Sequence, residues 1–152
     1  MSAASHDDGS GFEALTLALG GEIFAIEAGI VHEILDLSPV TDVPGARAFV
    51  AGLINVRGKV VALADLRLKF GMPAPPPTPD TRVVVVEIDL DGETTVVGLL
   101  ADKVYEVTTI AHASIEQTPD IGMKWPAEYI KGIGQRGSDF IVIPEIARLF
   151  FA

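Results

Sequence analysis

Short β-rich runs joined by glycine-containing turns recur along this chain and constrain its fold more than any other feature. Residues 15–19 alternate leucine with threonine and alanine, a Gly-Gly pair follows, and the alternation resumes over residues 23–26. This pattern predicts a β-hairpin, because apolar residues at every second position suit a half-buried strand and glycine supplies the positive φ of a tight turn. Further hairpins are predicted to join 53–56 to 59–63 around Arg57-Gly58, 82–90 to 94–101 around Asp91-Gly92, and 130–135 to 140–143 around Gly137.

Helices are expected to be few and short. Asp65 can cap a short helix that ends at Gly71, since an N-cap aspartate accepts hydrogen bonds from backbone N–H groups and glycine ends a helix readily. Pro144 suits the first position of a C-terminal helix, where its missing N–H is not needed, and residues 146–150 carry an apolar stripe behind it. The sequence therefore predicts an all-β protein with a few short helices.

Two segments divide the chain into regions. Residues 1–11 are small, polar and acidic and predict a flexible tail, and the proline-rich residues 73–81 predict an extended, stiff connector. We expect residues 12–152 to form a single domain, with a first barrel over about 12–72 and a second barrel plus the C-terminal helix over 82–152. Two small closed or nearly closed barrels suit these strands better than one open sheet, because closure removes exposed strand edges.

The charge balance and the lack of cysteine exclude several classes of function. Lys and Arg number 11 against 21 Asp and Glu, a formal net charge of −10 without a basic cluster, so we expect no nucleic-acid partner and no attraction to anionic lipid. No apolar run approaches the roughly 20 residues that span a bilayer, so no direct membrane insertion is expected. Without cysteine there is no disulfide framework, and the N-terminus lacks a secretory signal, so the cytoplasm is the expected location.

No catalytic or metal-binding set is visible in the sequence. His6, His32 and His112 are scattered, with no spacing that would bring two of them onto one ion, so neither a metal nor another cofactor is expected. A small β-barrel hydrolase that uses Asp65 or Asp102 is an alternative, but no nucleophile and base accompany these acids. Helix capping is the simpler interpretation of Asp65, and we expect that the protein is not an enzyme.

Charged residues inside two apolar segments are not explained by packing. Arg57 stands beside Gly58 at the tip of an apolar hairpin, and Glu33 interrupts another apolar run. A guanidinium gains nothing from an apolar core unless it meets a carboxylate or a carbonyl. Either Arg57 is a solvated turn residue, or the two charges bridge each other or meet polar groups of a partner.

Residues 52–71, GLINVRGKVVALADLRLKFG, resemble the signature of the CheW family of chemotaxis coupling proteins. The resemblance extends upstream to Val31-His32-Glu33-Ile34 and downstream through 97–107 and 130–134, and so covers essentially the whole chain from Phe12. It implies a fold of two packed SH3-like, five-stranded β-barrels. It also implies a non-catalytic adaptor, recruited to membrane receptor arrays, that binds the cytoplasmic tip of chemoreceptors (methyl-accepting chemotaxis proteins) and the regulatory domain of the histidine kinase CheA.

The resemblance also implies roles for individual residues. The implied receptor contacts are Val31, Glu33, Arg57 and Val107, and the positions implied to shape the backbone close to the binding surfaces are Gly52, Asn55, Gly58 and Gly98. The sequence departs from the family pattern at His32, Ala62 and Pro144-Glu145, which leaves open the partner preference and the local conformation near residue 144. The alternative function within this resemblance is a scaffold of another chemosensory pathway, such as surface motility or development.

Overall fold

The computed structural model describes residues 11–45, 49–112, 115, 127–136 and 139–151. The strands within these ranges are β1 (Gly11–Leu19), β2 (Glu22–Glu27), β3 (Val31–Asp36), β4 (Val50–Val56), β5 (Lys59–Ala64), β6 (Arg82–Leu90), β7 (Glu93–Ala101), β8 (Lys103–Ala111), β9 (Ile130–Arg136) and β10 (Asp139–Pro144). The helices are α1 (Leu66–Lys69) and α2 (Ile146–Phe151), with 3-10 turns at Ala28–Ile30 and Ala127–Tyr129. None of the described helices is long and apolar enough to cross a membrane.

The strands form two five-stranded sheets, which confirms the predicted all-β class with few short helices. The first sheet has the order β8-β1-β2-β10-β9, and the second has the order β3-β6-β7-β5-β4. Neighbouring strands are antiparallel except for one parallel pair in each sheet, β2 with β10 and β5 with β7. Both sheets curl so that their edges approach: β8 contacts β9 in the first, and Thr41, after β3, pairs with Leu53 of β4 in the second.

The division of the chain into two consecutive barrels at residues 73–81 is wrong. The first sheet combines β1 and β2 with β8, β9 and β10, whereas the second sheet contains β3 to β7. The proline-rich segment therefore leads from α1 to β6 within the region that builds the second sheet. The error has a physical cause, because hairpin signals are local, whereas the parallel pair Phe24–Val142 joins residues far apart in the sequence.

Three of the predicted hairpins are confirmed together with their turns. The loops Gly20-Gly21, Arg57-Gly58 and Asp91-Gly92 each contain two residues between paired strands. Both residues of each loop have a positive φ, for example 52° and 84° at Arg57-Gly58. This conformation matches the right-handed twist of the flanking strands. Strands β9 and β10 are paired as predicted, and Gly137 lies outside the described residues.

Of the two predicted helix starts, the structure confirms the one at Asp65 and not the one at Pro144. Asp65 caps α1 as expected, since its carboxylate accepts a hydrogen bond from the Arg67 backbone N–H. Pro144 does not begin the C-terminal helix: it is the last residue of β10, paired with Ile130, and the helix begins at Ile146. The predicted tail 1–11 lies outside the described residues except for Gly11, which begins β1 and pairs with Ala111.

Buried apolar side chains form three layers across the molecule. One cluster lies within the first sheet's curl and includes Ala14, Ile110 and Ile141, and a second lies within the second sheet's curl. The largest cluster lies between the sheets. Along β6, Val83 and Val85 belong to the second cluster whereas Val84 and Val86 belong to the cluster between the sheets. Both faces of β6 are covered, which explains its continuous run of valines.

Candidate partner-binding site

The edge strands of the second sheet and the turn after β4 carry most of the residues that the sequence singled out. Strands β3 and β4 stand at opposite ends of this sheet. Between them, the Thr41 N–H donates to the Leu53 carbonyl at 2.9 Å, and the Leu53 N–H donates to the Thr41 carbonyl at 2.8 Å. A side chain at Gly52 would collide with the Thr41 carbonyl and come within 2.6 Å of Val40 Cγ1. Gly52 therefore allows the close approach that draws the two edges together.

Glu33 and Arg57 form an ion pair across these edges. The Arg57 Nη2 donates to Glu33 Oε1 at 2.9 Å, and Nε donates to both carboxylate oxygens at 3.2 Å. The Arg57 side chain is 78% exposed and the Glu33 side chain is 25% exposed. Planar guanidinium and carboxylate groups suit this forked geometry, so the pair is directional although it faces solvent.

The ion pair shifts the pKa of both members. Hydrogen bonding to Arg57 lowers the pKa of the Glu33 carboxyl below its ordinary value, and the positive charge of Arg57 acts in the same direction. The hydrogen bonds and charge of Glu33 raise the pKa of the Arg57 guanidinium in turn. Both groups are therefore held in their charged forms at neutral pH, which makes the pair a fixed polar feature of this surface.

The turn that presents Arg57 is held by its own residues. Arg57 adopts a positive φ of 52° and Gly58 one of 84°. The Gly58 N–H donates to Asn55 Oδ1 at 2.9 Å, which ties the turn to the end of β4. Asn55 and Gly58 thus act on the conformation of the Arg57 backbone, which is a concrete role for two positions predicted to lie close to a binding surface.

The side chains around Glu33 combine polar and apolar character. His32 Nε2 lies 2.6 Å from Glu87 Oε1 on β6, and both side chains are partly exposed. The β3–β6 register shifts at His32, between the Val31–Val86 and Glu33–Val85 pairs. Val31 is half-buried against the cluster between the sheets, while Ile34 is exposed. The edge strand β3 therefore offers a mixed surface beside the ion pair.

Val107 lies on the other sheet. It stands on β8, an edge strand of the first sheet, pairs with Leu15 and is 54% exposed. The pairing of β1 with β8 shifts between Leu15 and Leu17, where the Thr16 hydroxyl bonds the Glu106 carbonyl at 2.9 Å. This bulge leaves Tyr105 and Val107 both exposed. The structure thus brings Glu33 and Arg57 together and places Val107 on a separate strand of the first sheet.

Gly98 has an interior role. It is buried on β7, and a side chain there would come within 3.0 Å of Val83 Cγ1 and 3.4 Å of Ile54 Cδ1. Glycine at this position lets the second cluster pack closely. The Gly98 backbone is therefore covered by side chains of the second sheet.

A buried network around Arg67 was not predicted from the sequence. Arg67 donates from Nε and Nη2 to the two carboxylate oxygens of Asp65 at 2.9 and 2.8 Å, and from Nη1 to Asp102 Oδ1 at 2.6 Å. The side chains of Arg67 and Asp65 are only 6% and 7% exposed. Hydrogen bonds to Asp65 raise the pKa of the Arg67 guanidinium. A signal was present, since Arg67 belongs to the signature segment, but Asp102 is distant in sequence.

The same network bears on the hydrolase alternative. Asp65 and Asp102, the two acids considered for it, are both ion-paired to Arg67. Asp102 Oδ2 also accepts from the Gly20 N–H at 2.8 Å. Their oxygens are thus engaged in structural contacts. Over the described ranges, no three His, Cys, Asp or Glu side chains group so that they could hold a metal ion.

Comparisons with known proteins agree on one family. The CheW-like domain family matches residues 13–151. The chain is 31% identical over 148 residues to the chemotaxis protein CheW of Rhizobium meliloti, covering 97% of this chain and 93% of that one. It is 30% identical to the probable chemotaxis protein CheW of Rhizobium etli, covering 91% and 86%. It also resembles the crystal structure of the scaffolding protein TtCheW from Thermoanaerobacter tengcongensis, with 28% identity, a TM-score of 0.82 and coverage of 92% and 88%.

Proposed function

Because this chain belongs to the CheW family of chemotaxis coupling proteins, we propose that it is a non-catalytic adaptor that couples chemoreceptors to the histidine kinase CheA. The observation that carries the proposal is the family match over residues 13–151, which takes in both sheets. In this function the chain binds the cytoplasmic tip of a receptor and the regulatory domain of the kinase. It acts in the cytoplasm and is recruited to receptor arrays at the membrane.

The receptor contact we propose is centred on Glu33 and Arg57. An exposed, forked ion pair can exchange one of its hydrogen bonds for a polar group of a partner, and Arg is a residue that commonly anchors interfaces. Val31 and the neighbouring exposed Ile34 supply apolar area on the same strand. Val107 is the proposed contact from the first sheet, where its exposed side chain offers further apolar area.

The kinase contact we propose uses a different surface from the receptor contact. The two sheets expose separate apolar side chains, among them Val60 on β5 and Phe140 on β10, at 71% and 64% exposure. An adaptor that holds two partners at once needs two surfaces that do not overlap. Receptor and kinase contacts should therefore be separable by mutation.

The direct test is reconstitution with purified partners. The chain is mixed with a receptor cytoplasmic fragment and with CheA, and binding to each is measured by calorimetry, followed by kinase autophosphorylation with and without the chain. Binding to both partners together with a receptor-dependent change in autophosphorylation supports the proposal. Binding to neither partner contradicts it, and binding only to the receptor and kinase of another chemosensory system indicates the alternative pathway.

The absence of enzymatic activity is tested separately. The purified protein is expected to release no phosphate from nucleotides or phosphoproteins beyond the blank. Hydrolysis that disappears in Asp65→Asn, with the fold intact by circular dichroism, would contradict the proposal. Asn retains an oxygen that can cap α1, so this substitution removes the acid with little change to the helix start.

A further inference from the structure

The buried charges of Arg67 and Asp65 lie where elements of both sheets meet. Among the described residues, these two are the charged ones that are buried. Arg67 lies on α1, directly after β5 of the second sheet. Asp102, its second partner, is the single residue between β7 of the second sheet and β8 of the first. The guanidinium therefore contacts one of the points at which the chain crosses from one sheet to the other.

Asp102 extends this network into the first sheet. Its Oδ2 accepts from the Gly20 N–H at 2.8 Å, and its backbone N–H donates to the Ala18 carbonyl at 3.0 Å. Both residues belong to the β1–β2 hairpin of the first sheet. A side chain at Gly20 would lie 2.7 Å from Met72 Sδ, in the segment after α1. The Gly20-Gly21 turn, Asp102 and α1 thus form one continuous, close-packed polar junction.

An apolar cluster alone would not fix how the two sheets face each other. The cluster between them joins Leu17 and Phe24 of the first sheet to Val84 and Leu99 of the second, and such contacts are non-directional. A buried guanidinium is satisfied in few arrangements, because each N–H group must meet an acceptor at a fixed angle. Rotating one sheet against the other would separate Arg67 from Asp102. The buried Nη1 would then lose its carboxylate acceptor at 2.6 Å, which is costly although Asp65 still pairs with the rest of the guanidinium.

We infer that Arg67 is a positioning residue. Through Asp102 it holds the two sheets in one relative orientation, so that partner-binding surfaces on the two sheets keep a fixed spatial relationship. The part of this inference that concerns partners rests on the proposed adaptor function. The part that concerns orientation does not, because it follows from the contacts of Arg67, Asp102 and Gly20. Arg67 itself touches no partner in this scheme.

The test measures the distance between the sheets in solution. The chain contains no cysteine, so Val60→Cys and Phe140→Cys place one spin label on each sheet at exposed positions. Val60→Cys with Glu93→Cys places both labels on the second sheet as a control. Pulsed electron spin resonance then compares the parent with the triple variant Asp65→Asn, Arg67→Met, Asp102→Asn. The two asparagines retain acceptors for the backbone N–H groups of residues 67 and 20.

The expected result is a distance distribution between the sheets at least twice as broad in the triple variant, with the control pair unchanged. The milder variants Asp102→Asn and Arg67→Lys should broaden it to a smaller extent, and they supply the comparison if the triple variant does not fold. An unchanged distribution in the folded variants would overturn the inference and leave the network with a local role in stability.

Binding measurements separate this inference from the proposed function. Each variant should bind the CheA regulatory domain alone within about twofold of the parent affinity. It should bind the receptor fragment alone more weakly, because the proposed receptor contact takes Glu33 and Arg57 from the second sheet and Val107 from the first. Assembly of all three components should weaken at least tenfold, since both surfaces must then be engaged at once. Unchanged three-component assembly would overturn the claim that assembly needs a fixed relative orientation of the partner-binding surfaces on the two sheets. If the parent binds neither partner, the adaptor proposal fails, while the distance comparison still decides the role of Arg67.

Discussion

The guanidinium of Arg57 and the carboxylate of Glu33 join opposite edges of the second sheet. Glu33 lies on β3 and Arg57 directly follows β4, and these are the two end strands in the sheet order. Three hydrogen bonds of 2.9 to 3.2 Å link the two side chains. Because the arginine is mostly exposed, the pair both spans the edges and presents donors at the surface. These two roles can be separated experimentally.

The first prediction concerns the surface role. Arg57→Ala should leave the melting temperature nearly unchanged, because exposed ion pairs contribute little to stability. It should weaken binding to a receptor cytoplasmic fragment at least tenfold and binding to the CheA regulatory domain by less, as measured by calorimetry. Lys59→Ala, at a neighbouring exposed position, is the matched control and should retain both affinities. Unchanged receptor affinity in Arg57→Ala would return Arg57 to the role of a solvated turn residue.

The second prediction concerns pH. The pKa of Glu33 is lowered in the folded state, mainly by its hydrogen bonds to Arg57, from an ordinary value of 4.5. A lowered pKa in the folded state gives stability that is present above the unfolded-state value and lost as the pH falls through the folded value. The wild type should therefore exceed Glu33→Gln in unfolding free energy at about pH 7, and the difference should shrink below about pH 4.5. Urea unfolding across this range measures it, and a pH-independent difference would contradict the assignment.

Local chemistry decided which parts of the fold could be predicted from the sequence. The Arg57-Gly58 and Asp91-Gly92 turns were predictable because each turn type needs positive φ within two residues, and glycine marks it directly. The assignment of hairpins to sheets was not predictable in this way. It depends on parallel pairing of β2 with β10 and of β5 with β7, which no turn signal records.

The candidate site shows the same contrast between features with a local sequence signal and contacts between distant residues. The charges at Glu33 and Arg57 were singled out because both interrupt apolar runs. A bridge between them was one of the alternatives left open, and the structure joins them. Arg67 belongs to the signature segment, but arginine is ordinary in a short helix and its partner Asp102 is 35 positions away, so the sequence did not indicate their contact. Pro144 indicated a helix start in the sequence, but its fixed φ suits the strand end that it occupies equally well.

The third prediction concerns the edge contact at Gly52. Gly52→Ala would place a methyl group against the Thr41 carbonyl and Val40 Cγ1. Relief of this overlap should open the Thr41–Leu53 bridge and lower the unfolding free energy by about 1–3 kcal/mol. Gly29→Ala is the control, because a side chain at Gly29 meets nothing within 4 Å. Hydrogen exchange should accelerate at the Thr41 and Leu53 amides only in Gly52→Ala, and equal effects of the two substitutions would count against this role.

The last prediction compares the two arginine ion pairs. Arg67 is 6% exposed and Arg57 is 78% exposed, although each forms a forked contact with one carboxylate. Arg67→Met would leave the Asp65 carboxylate buried without a cation, which should cost about 3–5 kcal/mol of stability. Arg57→Met should cost much less, because water replaces the lost partner of Glu33. Chemical denaturation of both variants at about pH 7 measures the contrast. Equal losses would show that burial does not distinguish the pairs, and a recovery of Arg67→Met stability on adding Asp65→Asn would confirm the unpaired carboxylate as the cause.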